Sequence, residues 1–231
     1  MKIAPLLAAA IDELNIVMRK SLGGTKLESI SSTINYYAIG SAVASMGVGI
    51  IPGAGGLAAA LAQTGFIWAT YVKINKELGI SMSKETAKFL GGAVATNLIT
   101  GYGALMVGYV MSGLVSFIPI IGSFVASAAN AALGYVMIYS CAVIYLKLIT
   151  KMVKVSGTME VKDKETIEKS IREIMSAEDM KSLFKEGGKQ FKAAHKDGSF
   201  AAAKSKKFCT ECGEEVPDGM DTCPSCGHKI N

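Results

Sequence analysis

The stretch that decides the fold runs from Phe89 to Leu146 and reads FLGGAVATNLITGYGALMVGYVMSGLVSFIPIIGSFVASAANAALGYVMIYSCAVIYL. It contains no charged side chain, and neither does a second stretch, from Ser29 to Val72. A helix of a soluble protein usually keeps a polar edge toward water, whereas about 20 apolar residues suffice to cross a bilayer. Each stretch is long enough for two such helices. The sequence therefore predicts two apolar helical hairpins of the kind found in membranes.

Each uncharged stretch is interrupted near its middle by proline and glycine. The first reads Ile-Pro-Gly-Ala-Gly-Gly over residues 51–56, and the second reads Ile-Pro-Ile-Ile-Gly over residues 118–122. Proline removes a helical hydrogen-bond donor and glycine permits a tight reversal, so these segments predict the turns of the hairpins. The predicted turn residues are Pro52, Gly53 and Gly55 in the first hairpin and Pro119 and Gly122 in the second.

Charge is concentrated outside the two stretches. Half of the 231 residues are hydrophobic and 19% are charged, which excludes a disordered chain. Residues 73–88, between the hairpins, carry four lysines and two glutamates, and residues 147–207 carry 15 basic and 9 acidic groups. Because cytoplasmic segments of membrane proteins are enriched in Lys and Arg, we expect a cytoplasmic-membrane protein with both termini in the cytosol. The sequence leaves open whether the hairpins cross the bilayer or dip in and return.

The chain divides into five segments, and the predicted fold class is mainly α. Residues 1–28 predict an amphipathic helix, because apolar residues recur at helical spacing and two acidic residues stand where the core of a signal peptide would lie. The remaining segments are a Gly/Ala-rich double-hairpin membrane domain at 29–150, a basic amphipathic helical stalk at 151–198, a flexible linker at 199–207 and a small β zinc ribbon at 208–231.

Small side chains recur at four-residue spacing on both arms of the second hairpin. In lipid, apolar helices gain little by hiding from one another, so their association depends on close backbone approach at small residues. Two interpretations stay open: these residues pack the arms within one chain, or they join copies of the chain into an oligomer. They are Ala104, Gly108 and Ser112 on one arm and Ser123, Ser127 and Ala131 on the other.

The stalk carries lysines next to an apolar stripe. A basic amphipathic helix beside apolar hairpins is typical of a helix that lies on an anionic cytosolic leaflet. The alternative is that the stripe packs against the other helices of the same chain, and the sequence does not decide between the two. The lysines with this predicted membrane-surface role are Lys181, Lys185, Lys189 and Lys192.

The tail contains two Cys-x-x-Cys pairs separated by ten residues, Cys209 with Cys212 and Cys223 with Cys226. Two residues between thiolates allow one turn to present both sulfurs to one ion, and four thiolates form a closed tetrahedral site. We therefore predict one structural Zn²⁺. The alternative, two disulfides, requires an oxidising compartment. Residues 208–231 carry net charge −4, which disfavours nucleic acid and favours a protein partner.

No motif of a common enzyme class occurs in the sequence. It lacks the phosphate loop GxxxxGK[ST], the zinc-protease motif HExxH and the hydrolase motif GxSxG. The two histidines, His195 and His228, stand in polar segments, and the apolar arms contain no acid–base pair. The sequence therefore predicts a protein without catalytic activity.

Four short segments carry a family resemblance: Ile51–Gly55, Leu78–Gly91, Ile118–Gly122 and Ala131–Gly134. Over about residues 34–150 the chain resembles the YcjF-like domain of unknown function, which is often attached to Era-like GTPases in bacteria. The second turn lacks the lysine and the first glycine of that family's Lys-x-x-Pro-Gly-x-Gly pattern. The resemblance implies a membrane-associated helical domain that works with a GTPase on a separate chain. The tail resembles the zinc ribbons appended to many bacterial and archaeal membrane proteins.

Three hypotheses of function follow from these observations. The first is a non-enzymatic protein of the cytoplasmic membrane that self-assembles and recruits a protein partner through its zinc ribbon. The second is a membrane-permeabilising effector that inserts an apolar hairpin after a soluble stage. The third is a soluble helical oligomer whose hairpins bury one another between subunits. Extraction, vesicle leakage and oligomeric state distinguish them.

Overall fold

A computed structural model describes residues 3–18, 24–46, 64–80, 82–115, 123–156 and 164–230, and the predicted turn residues (Pro52, Gly53, Gly55, Pro119 and Gly122) lie outside these ranges. The prediction of a mainly α fold with a small β ribbon is confirmed. Within these ranges the elements are α1 Pro5–Met18, α2 Gly24–Met46, α3 Thr64–Leu78, α4 Lys84–Val115, α5 Ser123–Ser156, α6 Lys164–Ala177, α7 Met180–Lys196, α8 Ser199–Lys204, β1 Lys207–Phe208 and β2 Glu215–Val216.

Helix α5 is the centre of the helical body. Six helices pack on it: α1, α2, α3, α4, α6 and α7. Almost every side chain from Ala131 to Thr150 is buried, and the first charged residue of this segment, Lys147, pairs with Glu178 at 2.5 Å. A charge without a partner in such a position is strongly destabilising. The absence of charge from Ala131 to Leu146 therefore follows from burial on all sides.

Helix α4 lies at the edge of the body. It packs against α3, α5, α6 and α7 on one side and is open on the other. The open side carries no charge between Thr96 and Ser112, and its largest exposed side chains are those of Val107 and Met111. Among the described residues, two helical segments are long and apolar enough to cross a membrane, Lys84–Gly113 and Ser127–Lys154. In the apolar 18-residue window of each, 33% and 89% of the residues are buried, respectively.

A pair of stacked tyrosines joins the first hairpin to the second in the core. The rings of Tyr71 on α3 and Tyr145 on α5 are parallel, with centroids 3.7 Å apart. The Tyr71 hydroxyl donates a hydrogen bond to the carbonyl oxygen of Cys141 at 3.0 Å, and the Tyr145 hydroxyl donates to Asn75 Oδ1 at 2.8 Å. Because both hydroxyls have partners, their hydrogen bonds offset the cost of removing them from water into the apolar core.

Helices α6 and α7 cover the side of the body formed by α4 and α5. The apolar stripes of both helices are buried against the other helices of the chain. Of the two interpretations that the sequence left open for these stripes, the structure therefore has packing within the chain. Helix α7 begins after Asp179, whose carboxylate accepts hydrogen bonds from two backbone N–H groups of the first turn. The buried residues of the two stripes are Ile167, Ile171, Ile174, Met175, Met180, Leu183, Phe184 and Phe191.

The segment 199–207, predicted to be a flexible linker, contains helix α8 and residue Lys207 of β1. Phe200 is 8% exposed, and its ring packs against the ring of Phe191 on α7, with centroids 5.6 Å apart. One buried aromatic side chain is enough to attach this short alanine-rich helix to the body. The structure therefore differs from the predicted flexible tether. The small residues of the segment indicate flexibility, whereas Phe200 anchors it to the body.

Candidate metal centre

Two similar turns present the four cysteines. In the first, the N–H of Gly213 donates to the carbonyl oxygen of Cys209 at 2.8 Å, and in the second the N–H of Gly227 donates to that of Cys223 at 2.9 Å. Both glycines have positive φ, 70° and 76°, a conformation that side chains disfavour. The Cys-x-x-Cys-Gly pattern therefore folds locally as expected, with two sulfurs on each turn.

The four sulfur atoms are arranged as zinc requires. They all lie within 4.8 Å of one another, with Cys209 Sγ 3.6 Å from Cys226 Sγ and Cys212 Sγ 3.5 Å from Cys223 Sγ. Tetrahedral zinc with Zn–S bonds of about 2.3 Å places its sulfur ligands roughly 3.8 Å apart. The donor set fits one zinc ion and fills its coordination shell, which is typical of a structural site.

The turns are held together by a very small amount of secondary structure. Strand β1 pairs with β2 in antiparallel register, Lys207 opposite Val216 and Phe208 opposite Glu215. Val216 is the one aliphatic side chain in the buried cluster that the cysteines form. A module with so little apolar area depends on its metal for folding, so zinc binding and folding of the ribbon are coupled.

The environment of Cys223 favours the thiolate that zinc needs. Burial opposes ionisation, but hydrogen bonds from the backbone at Ser225 and Cys226 lower the pKa of the Cys223 thiol to about 7. Burial raises the pKa of Cys212 on the other turn. Zinc binds thiolates and releases their protons, so a lowered pKa at Cys223 favours metal binding.

The ribbon packs against the first hairpin. Trp68 of α3 contacts the buried cysteine cluster, and the hydroxyl of Tyr37 on α2 donates a hydrogen bond to Glu214 Oε1 at 2.6 Å. The ring centroids of Phe208 and Phe66 lie 6.3 Å apart. The sequence did not predict a role for Tyr37, Phe66 and Trp68 at this site. They are more than 130 positions away from the cysteines, and no local pattern joins them to the ribbon.

The predicted small-residue positions do not form one interface. Ala104, Gly108 and Ser112 are exposed on the open side of α4, Ser127 is half-buried and Ala131 is buried on α5. The side chain of Ser123 lies outside the described residues.

The predicted membrane-surface lysines line one wall of a cleft of about 540 Å³ between α4 and α7. Tyr109 and Val110 of α4 form part of the opposite wall. Among the described lining residues Asp179 carries the single carboxylate, and its hydrogen bonds are used to cap α7. The cleft is therefore basic on one side and largely apolar on the other. Its lysines are Lys181, Lys185, Lys189 and Lys192.

Comparison with known proteins identifies the C-terminal module. A family model described as a zinc-ribbon domain matches residues 208–230. No curated protein and no solved structure matches the chain. None of these comparisons supports the resemblance of the helical body to the YcjF-like domain. Residues 208–230 are a zinc-ribbon domain, and their four cysteines lie close enough together to bind one metal ion.

Proposed function

We propose that the protein is a non-enzymatic, membrane-associated helical protein that contacts lipid through the open side of α4. One observation carries this proposal. From Thr96 to Ser112 the exposed side of α4 has no charged residue, and Val107 and Met111 are 44% and 37% exposed there. Seventeen helical residues span about 25 Å, close to the roughly 30 Å thickness of a bilayer's hydrocarbon core. An uncharged surface of this length suits lipid better than water.

The lysine-lined cleft supports contact with an anionic leaflet. It borders the C-terminal half of α4, from Tyr109 to Gly113. Each lysine near an anionic surface contributes about 1 kcal/mol of attraction. With the lysines at phosphate head groups, the open side of α4 would face the hydrocarbon beside them. The lysine-rich segments outside the apolar stretches support a cytosolic position for both termini.

Self-assembly and partner recruitment are further parts of the proposal. The exposed Ala104, Gly108 and Ser112 would let a second copy approach α4 closely within the membrane. The side of the ribbon away from the helices, residues 217–222, exposes Asp218 and Asp221 and would bind a protein with a basic surface. The family resemblance makes a separate GTPase one candidate for that partner.

A membrane-permeabilising effector is the second candidate, and one observation favours it. Helix α5, whose candidate membrane segment is the more apolar of the two, is enclosed by α1, α6 and α7, so the structure has the form that such an effector would adopt before insertion. Insertion would require these helices to move away from α5. The soluble oligomer, the third hypothesis, would instead cover the open side of α4 with another subunit.

The test uses a polarity-sensitive fluorophore on single introduced cysteines. Val107→Cys places it on the open side of α4, and Ala201→Cys places it on α8, at an exposed site outside the proposed lipid contact. Labelling is done on zinc-loaded protein, with the parent chain as background, because Cys141 is buried and the ribbon thiols are then occupied. We expect a blue shift at position 107 on addition of vesicles and none at position 201.

The outcomes separate the three hypotheses. A blue shift at position 107 with sealed vesicles supports membrane association without permeabilisation. Release of a trapped dye supports the effector. Protein that stays in buffer after carbonate extraction, with no shift at position 107, overturns the proposal, and an oligomer under those conditions supports the third hypothesis. Replacing anionic vesicles with neutral ones is expected to weaken binding, because the lysines lose their partners.

A further inference from the structure

The ribbon touches the first hairpin at a point where no side chain would fit. Gly65 stands in the first turn of α3, and a Cβ atom placed on it would overlap the carbonyl oxygen of Thr210 and lie 2.7 Å from the carbonyl carbon of Glu211. Both of these atoms belong to the backbone, which cannot move aside as a flexible side chain would. The first cysteine turn of the ribbon therefore rests directly on the backbone of α3, and only glycine permits this.

Aromatic rings surround this contact on the hairpin side. A Cβ atom on Gly213, the glycine of the first cysteine turn, would lie 3.0 Å from ring atoms of both Phe66 and Tyr37. On the other side of the same contact, Phe208 of the ribbon lies over Gly40 of α2. Flat aromatic rings pack closely against glycine backbone over a large area. No long, flexible side chain has to be immobilised to make this contact.

One hydrogen bond fixes the orientation. The hydroxyl of Tyr37 donates to Glu214, the residue that follows the glycine of the first cysteine turn. Burial and the carboxylate of Glu214 raise the pKa of Tyr37, so the phenol stays protonated and remains a donor. The Tyr37 side chain is buried and Glu214 is half-buried, so competition from water at this bond is reduced.

We infer that the zinc-loaded ribbon is an intramolecular clasp whose docking surface is the end of the first hairpin of its own chain. The ribbon residues in the contact, from Phe208 to Glu214, include the turn formed by Cys209 and Cys212. Without zinc this turn loses its ligand bonds, and the ribbon has too small a core to keep the shape that fits Gly65. Loss of zinc would therefore uncover the aromatic surface of Tyr37, Phe66 and Trp68.

The clasp also restricts which face of the ribbon meets other molecules. While it is docked, the first cysteine turn is occupied, and residues 217–222 remain exposed. Release would expose a second surface on the ribbon and another on the hairpin at once. The inference does not depend on membrane binding, since docking of the ribbon can be measured in the absence of vesicles.

Trp68 reports docking directly, because it is the single tryptophan of the chain and it packs against the cysteine cluster. Iodide quenching and the emission maximum of Trp68 are recorded for protein with zinc and after chelation, and bound zinc is counted in each sample. We expect chelation to shift the emission to the red and to remove the protection from iodide. Unchanged emission and quenching after complete zinc removal would overturn the inference.

Two matched variants separate docking from metal binding. Gly65→Ala blocks the contact but leaves all four cysteines, so we expect one zinc per chain together with the red-shifted, iodide-accessible Trp68 of the chelated parent. Gly92→Ala adds the same methyl group to α4, where a Cβ atom meets nothing within 4 Å, and is expected to match the parent. A Gly65→Ala protein with zinc and a shielded Trp68 would contradict the clasp.

A milder variant covers the case in which Gly65→Ala disturbs α3 itself, which far-ultraviolet circular dichroism would show. Tyr37→Phe removes the hydrogen bond to Glu214 and keeps the ring. We expect it to retain helix content and zinc, and to lose the protection of Trp68 at a lower chelator concentration than the parent. Identical chelator curves for the parent and Tyr37→Phe, with Gly65→Ala misfolded, would count against the clasp.

Discussion

Helices α4 and α5 have similar compositions, but α4 lies at the edge of the helical body and α5 at its centre. Both have an uncharged stretch of more than 20 residues, and an apolar 18-residue window in each has a mean hydropathy of 1.3 in α4 and 1.8 in α5. Of the residues in these windows, 33% are buried in α4 and 89% in α5. Absence of charge in α5 follows from contact with six helices, but nothing within the described body explains it on the open side of α4. The same composition thus has two physical causes, and α4 is the helix whose composition points to lipid.

The largest expected effect comes from placing one charge on each helix. Ala142 of α5 is 0% exposed, and Ala104 is exposed on α4. Ala142→Asp buries a carboxylate with no partner and is expected to cost about 4 kcal/mol or more, enough to prevent folding of many domains. Ala104→Asp is expected to change stability by no more than about 0.5 kcal/mol. Urea unfolding in mild detergent, followed by circular dichroism, measures both.

The same pair of variants also tests the lipid contact. Ala104→Asp should fold normally and bind vesicles less well, because its carboxylate would have to enter hydrocarbon. Equal destabilisation by both substitutions would mean that the open side of α4 is covered by protein. A stable Ala142→Asp would mean that α5 is not the central helix.

A smaller effect is expected from removing methyl groups at matched valines. Val143 of α5 is 1% exposed, whereas Val107 of α4 is 44% exposed. Val143→Ala removes buried surface and leaves a cavity, for a loss of about 2 kcal/mol. Val107→Ala should stay within about 0.5 kcal/mol. Thermal unfolding of the two variants and the parent measures both losses of stability. Equal losses would contradict the assignment of α5 as the central helix and α4 as the edge helix.

The zinc ligands could be predicted from the sequence because their geometry is local. Two residues between cysteines and a following glycine specify each turn, and the structure brings Cys209, Cys212, Cys223 and Cys226 together as expected. The helical hairpins were also predictable as elements, since uncharged length and turn residues mark them. In both cases the information lies within a few neighbouring positions.

The position of α5 and the docking of the ribbon could not be predicted in this way. Burial of α5 depends on helices from both ends of the chain, such as α1 and α7, whose stripes are compatible with either lipid or protein contact. The contact of Gly65 with Thr210 joins residues 145 positions apart, and nothing in the local sequence distinguishes this glycine from the other 24. Tertiary packing decides both features.

Matched tyrosines provide a finer comparison of the two helices. Tyr145 of α5 donates to Asn75 inside the core, and half-buried Tyr102 of α4 donates to the carbonyl oxygen of Met175 at 3.1 Å. Tyr145→Phe leaves a buried acceptor unpaired and is expected to cost about 1 kcal/mol. Tyr102→Phe leaves an acceptor that water can reach, so its cost should be about 0.5 kcal/mol. Urea midpoints measure the two losses, and a larger loss at Tyr102 would contradict the comparison.

The smallest effect concerns Asp179, which starts the helix that covers both α4 and α5. Hydrogen bonds from the Ser182 hydroxyl and from the backbone N–H groups of Ser182 and Lys181 lower the pKa of Asp179. The folded-state pKa is therefore below the unfolded value of about 3.9, so the capping contribution is present above that pH and is lost as pH falls through the folded-state value. Asp179→Ala should destabilise the start of α7 at neutral pH and match the parent in strong acid.

Hydrogen exchange at the first turn of α7 measures this effect separately from the acid release of zinc. The parent should exchange more slowly than Asp179→Ala at neutral pH, and the two rates should converge below the ordinary pKa range of aspartate. Because α7 lies between the basic cleft and the core, faster opening should reach Phe184 and Phe191, which contact the body, before it affects the open side of α4. A pH-independent difference between the two proteins would show that the carboxylate stabilises α7 by something other than its charged form.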